Sequence, residues 1–154
     1  MTLTNDFLIA GSAIFTVEPS DHFRVAMAQL GREFDEHYTY RIEANDERTM
    51  FFVQVLTGPD NTSDYSYVGV LHPRQGSIRL TRRSAFHPTA TPVRIAQRVL
   101  QRIFADQGEE IEKAGWKVHH MGKCGRCGRA LTTPESCETG IGPECRKILD
   151  QERF

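Results

Sequence analysis

Apolar and polar residues alternate along HYTYRIEA, residues 37–44, with Tyr38, Tyr40 and Ile42 on one side and Thr39 and Arg41 on the other. A period of two marks a strand buried on one face. TMFFVQVL (49–56) and YSYVGVL (65–71) are rich in aromatic and β-branched residues, and the eight-residue TGPDNTSD joins them. Pro59, Asp60 and Asn61 in that link are turn formers, so the pair reads as two antiparallel strands. FLIAGSAIFTVE (7–18) and SIRLT (77–81) supply further strands. DHFRVAMAQLGREF (21–34) reads either as a short helix or as an excursion between strands.

The period changes to 3.6 in TPVRIAQRVLQRIFADQ, residues 91–107. Ala96, Val99, Leu100, Ile103 and Phe104 gather on one side of the helix, while Arg94, Arg98 and Arg102 form a stripe on another. Thr91 is a suitable cap and Pro92 a first-turn residue. EEIEKAGW (109–116) continues as a second helical piece or a linker, and Trp116 anchors the start of a C-terminal module. The pattern predicts an α+β fold in which an antiparallel sheet of four or five strands is packed by one main helix. Residues 1–115 form this sheet-plus-helix domain, and residues 116–154 a small module with its own chemistry.

Composition limits the class. The chain has 154 residues, 39% hydrophobic and 25% charged, the balance of a soluble globular protein. No apolar run is long enough to span a membrane. The N-terminus, MTLTNDFLIAGSAIF, lacks a basic n-region and is not read as a signal peptide. The expected compartment is therefore a reducing cytoplasm, where structural disulfides are rare.

A net charge of −1 conceals an asymmetry. Residues 1–64 hold four Arg against eleven acids, whereas residues 65–105 hold seven Arg, no Lys and no acid. Arginine binds phosphate and carboxylate through a planar fork. Such a window reads as an anion-binding face built from Arg82, Arg83, Arg94, Arg98 and Arg102, for which nucleic acid is the commonest partner. The competing explanation pairs these arginines with the acidic N-terminal half.

All four cysteines lie in CGRCGRALTTPESCETGIGPECRK, residues 124–147. Cys124, Cys127, Cys137 and Cys145 crowd into 22 residues, and residues 1–123 contain none. Disulfide scaffolds spread their cysteines, and a redox pair opens a helix after a strand, whereas Gly125 and Gly128 suit a tight turn. A tetrahedral Zn2+ site is the reading that remains. Gly142 and Pro143 start a short helix that places Cys145 in its first turn, where the helix dipole favours a thiolate. Knuckle, hairpin and helix-start ligand together predict a treble-clef-like module. Cys137 is the fourth ligand by count, with His120 the alternative. Lys117, Lys123, Arg126 and Arg129 make a local basic patch, from which Arg126 joins the candidate nucleic-acid contacts.

GKCGRCGRALTTPES followed by GIGPEC resembles the zinc-binding end of a family of small uncharacterised proteins from bacteriophages and prophages. MFFVQVLTGPDN and DYSYVGVL are similar to that family's sheet region. The resemblance implies metal ligation by Cys124, Cys127 and Cys145 in the cytoplasm of a bacterial host. Its pattern has an apolar residue more often at the position of Cys137 and a histidine near that of His120, so this chain offers five candidates. It implies no activity.

No phosphate loop, nucleophile elbow or telling carboxylate pair is visible, and HHMGKCGRC lacks the His-x-Glu of a zinc deaminase. We therefore expect no catalysis. Two functions remain: a zinc-binding protein that contacts nucleic acid through its arginine face, and an effector that binds and inhibits a host or defence protein. The sequence does not set the oligomeric state.

Overall fold

The computed structural model describes residues 3–32 and 36–152. Its elements run α1 (Asn5–Leu8), β1 (Ser12–Pro19), α2 (Asp21–Gln29), β2 (Tyr38–Ala44), β3 (Phe51–Leu56), β4 (Tyr65–Leu71), β5 (Ile78–Arg79), α3 (Thr91–Phe104), α4 (Gly108–Lys113), β6 (Trp116–His120), α5 (Pro134–Thr139) and α6 (Pro143–Glu152). The strands form one antiparallel sheet in the order β5-β4-β3-β2-β1-β6, which curls into a half-barrel.

The sheet thus has six strands rather than four or five. The additional strand is β6, WKVHH, whose residues the sequence assigns to the C-terminal module. It pairs with β1 from Phe15↔His120 to Pro19↔Trp116, so the segment leading to the cysteines is itself a sheet edge. The expected strand over 7–18 begins only at Ser12. Before it, Thr4 Oγ1 accepts from Phe7 N at 3.2 Å and caps a single helical turn that buries Phe7 and Leu8. Residues 21–29 take the helical alternative, capped by Ser20; residues 33 and 34 of that stretch lie outside the described residues.

One face of the sheet makes the core. Ala13, Phe15 and Val17 of β1, Tyr40 and Ile42 of β2, and Val53 and Val55 of β3 are all buried on it. Helix α3 lays Val93, Ile95, Ala96, Val99, Leu100 and Ile103 into the same cluster. Tyr40 Oη donates to the Pro92 carbonyl at 2.6 Å, fixing the start of α3 over β2. The Gln97 side chain bonds both Ile78 N and Ile78 O, fixing its middle against β5. Thr91 is not the cap of this helix; Ala90 holds that position without a side-chain bond, and Pro92 still falls in the first turn. A second, smaller cluster joins Ala10 to Cys124, Ile141 and Cys145, with Leu131 and Leu149 against it.

Candidate metal centre and arginine face

Three residues after β6 the chain turns back on itself. Cys124 N donates to Arg129 O at 2.8 Å, Gly128 N to Cys124 O at 2.9 Å, and Leu131 N to Gly122 O at 2.8 Å. This tight hairpin needs a left-handed residue at its tip, which Gly128 supplies with φ +77°. Thr133 caps α5, and Gly140 ends it in the left-handed region. Arg146 N then bonds Gly142 O at 2.9 Å as α6 begins, which puts Cys145 in the first turn of that helix.

These turns bring the sulfurs of Cys124, Cys127 and Cys145 within 4.8 Å of one another. Cys124 and Cys145 are buried and Cys127 is exposed, so the cluster sits at the surface with its open side toward Cys127. Cys124 Sγ accepts from Gly142 N at 3.3 Å and from Arg126 N at 3.5 Å. Burial pushes the Cys124 thiol up, but the amides of Cys127, Gly142 and Arg126 outweigh it and hold the thiol down to about 7. At Cys145 burial prevails and raises the thiol, against the opposing pull of Arg126. Preset amide donors and gathered thiols fit a metal that takes thiolate ligands. Three cysteines this close could hold a metal ion.

Neither candidate for the fourth ligand joins this group. Cys137 sits on α5 with its Sγ turned toward the Leu131 carbonyl, 3.8 Å away. His120 is buried, and both its ring nitrogens are engaged: Nδ1 accepts from Gly122 N at 2.9 Å, and Nε2 lies 2.5 Å from the Cys137 carbonyl oxygen. A ring that accepts at Nδ1 and donates at Nε2 has no lone pair left for a metal. His120 therefore ties β6 to α5. Arg126, expected among the nucleic-acid contacts, instead turns inward. Its Nη1 lies 3.8 Å from Cys145 Sγ, and its Nε is buried without a hydrogen-bond partner among the described residues. The guanidinium is placed to offset negative charge on the thiols.

The ring of Phe7 joins this region to the core. It is fully buried, and a Cβ built on Gly125 or on Gly140 would come within 2.6 Å of its Cδ2. Its ring lies 5.7 Å from that of His120. No sequence pattern marks Phe7 as more than another apolar residue in FLIAG.

The other sequence-predicted residues sit elsewhere. Arg94 and Arg98 are exposed on α3, and Arg102 is half-buried, with its Nη1 3.4 Å from the Arg98 carbonyl. Arg82 and Arg83 are exposed in the loop after β5. Among the described residues none of these five, nor Arg74 or Arg79, forms an ion pair. Three acids of the N-terminal half have other partners: Glu18 pairs with Arg24, Lys117 and His119, Glu43 with Arg41, and Asp6 with Arg146.

Residues 119–150 match the model of a family of unknown function, DUF6011. The match takes in the end of β6, all four cysteines and most of α6. No curated protein and no solved structure matches the chain. Among the described residues no helix is long and apolar enough to cross a membrane.

Proposed function

We propose that the chain is a non-catalytic zinc protein that contacts nucleic acid through the arginines of residues 74–102. The observation that carries this is the state of those side chains. Seven arginines occur with no acid between residues 65 and 105, and among the described residues none has a carboxylate partner. Cations without a carboxylate partner make a surface with a free valence for phosphate.

Zinc is the metal that suits the cysteines, since a thiolate trio with amide donors favours a soft, four-coordinate ion. Cys124, Cys127 and Cys145 would hold it, and a donor from outside the trio would complete the tetrahedron. Knuckle, hairpin and helix-start cysteine support a treble-clef-like layout. The non-catalytic reading rests on the sequence, in which no phosphate loop, nucleophile elbow or deaminase motif is visible. The resemblance to phage and prophage proteins supports a bacterial cytoplasm as the context.

Titrating labelled oligonucleotides at several salt concentrations tests this reading. Affinity should fall by roughly one power of salt per phosphate neutralised. Changing Arg94 and Arg98 together to Glu should weaken binding while thermal unfolding stays close to wild type, since both are exposed and exposed substitutions cost little stability. An absence of binding even at low salt would remove the proposal. One observation favours the second reading, a protein-binding effector. Helix α2 has no buried residue and exposes Val25 at 59%, with Leu30 just after it at 71%. Salt-insensitive binding of a partner protein that Val25→Ser weakens would support it.

A further inference from the structure

The face of the sheet turned away from α3 carries its own pattern. Strand register places Ser12, Ile14, Thr16 and Glu18 of β1, Thr39, Arg41 and Glu43 of β2, and Phe52, Gln54 and Leu56 of β3 on it. Tyr65, Tyr67 and Val70 continue it on β4, and Arg79 on β5. Of these side chains only Thr16 is buried. An amphipathic sheet ordinarily covers this face with polar side chains, yet three aromatic rings sit here half-exposed.

The rings are held in position. Phe52 and Tyr67 lie with centroids 6.3 Å apart and planes 53° from parallel, which leaves ring surface open between neighbouring strands. Arg41 lies over Tyr65, 4.1 Å from the ring centroid, while its Nε donates to Gln54 Oε1 at 2.8 Å. Tyr67 Oη is 3.5 Å from Thr81 Oγ1, and Ala85 N donates to the Tyr67 carbonyl. The loop bearing Arg82 and Arg83 therefore runs beside Tyr67, and Arg79 shares a row with Val70 and Phe52. The acids of this face are already engaged. Glu43 takes Arg41 at 2.7 Å, and Glu18 is surrounded by Arg24, Lys117 and His119. Among the described residues Arg79, Arg82 and Arg83, along the edge next to the rings, have no carboxylate partner.

Exposed rings on a sheet with a cationic border match the chemistry of unpaired nucleotides. Bases stack on the aromatic faces and phosphates follow the arginines, whereas a duplex hides its base faces. We infer that this sheet face binds single-stranded nucleic acid, with Phe52, Tyr65 and Tyr67 stacking bases and Arg79, Arg82 and Arg83 holding the backbone. The inference rests on the nucleic-acid reading above and narrows it to a strand state and a surface.

The test measures anisotropy of labelled oligothymidylate and oligouridylate of about 12 nucleotides, a length one such surface accommodates, against a blunt DNA duplex of the same length. Binding of either single strand at least tenfold tighter than the duplex is expected. Phe52→Ala and Tyr67→Ala should each lower single-strand affinity about tenfold, the effect of one lost stack, and Arg79→Glu should flatten the salt dependence. Because Phe52 and Tyr67 are half-buried, wild-type protein is also crosslinked by ultraviolet light to 5-iodouracil oligonucleotides. Adducts should map to residues 51–56 and 65–71. Equal or tighter duplex binding, or crosslinks confined to α3, would overturn the stacking surface and leave the arginine reading standing. Binding to none of the three probes would remove both.

Discussion

Phe7→Ala tests whether the cysteine region and the sheet behave as one folding unit. The ring is fully buried, with one edge against Gly125, Gly140 and His120 and the remainder in the main core. Deleting a buried phenylalanine ring costs about 3–5 kcal/mol, a large part of the roughly 5–15 kcal/mol that stabilises a domain of this kind. If the cysteine turns order only around a bound metal, the contacts on their side exist only in the loaded protein. About half of the cost, ~2 kcal/mol, should then disappear when metal is stripped. By linkage the same variant should bind metal about 30-fold more weakly. Denaturant melts of wild type and Phe7→Ala, each with metal and with chelator, give the two stability differences, and competition with a chromophoric chelator gives the affinity. Equal destabilisation in both states with unchanged metal affinity would refute the metal-dependent ordering of these turns.

Further outcomes follow from the same contacts. Cys145→Ser should abolish stoichiometric metal retention, whereas Cys137→Ser should preserve it, as read by elemental analysis of protein purified without chelator. Gly140→Ala should destabilise the folded chain, because φ there is +75° and the new methyl would meet Phe7; thermal melting reads this directly. Tyr40→Phe removes the bond to the Pro92 carbonyl and should cost about 1 kcal/mol. Burial raises the Tyr40 phenol, so the folded state resists its ionisation and stability should fall as pH climbs past 10.0. Asp60 is held down to about 2 by the Thr62 hydroxyl and by the amides of Thr62 and Ser63. Its support for the β3–β4 loop should be complete above pH 3.8 and lost as pH falls through about 2, which a carboxyl NMR titration would show.

The middle strands are legible because their chemistry is local. Phe51, Val53 and Val55 alternate with Phe52, Gln54 and Leu56, and the turn formers after them close the hairpin. Helix α3 is legible for the same reason at a different period. The segment FLIAGSAIF defeats that logic, since its mostly apolar run carries no clear period, and the Thr4 cap together with Gly11 at φ +132° divides it into a helical turn and a strand. WKVHH is masked by its context, because a lysine and two histidines beside a cysteine cluster read as part of a metal module. Its place in the sheet depends on β1, a hundred residues earlier in the chain. The position of Cys137 apart from the trio is hidden for a related reason. Counting cysteines gives stoichiometry but not direction, and α5 aims Cys137 at a carbonyl. The half-exposed rings of Phe52, Tyr65 and Tyr67 follow the same alternation as the buried residues of β3 and β4, on the opposite face.

The pairing of β1 with β6 also sets a timetable. Strand β1 has β2 on one side as soon as that segment exists, but its other edge, from Phe15 to Pro19, is completed only by residues 116–120. At about 5–20 residues per second, a ribosome needs on the order of ten seconds to deliver them. For that interval the nascent sheet presents an open row of backbone donors and acceptors next to Phe15 and Val17, an invitation to pair with another chain. The cysteine hairpin follows the closing strand within three residues. A metal captured there would act as a latch, holding β6 in register while the slow long-range contact forms. Metal starvation should therefore appear first as aggregation during synthesis, before any loss of stability in protein that has already folded.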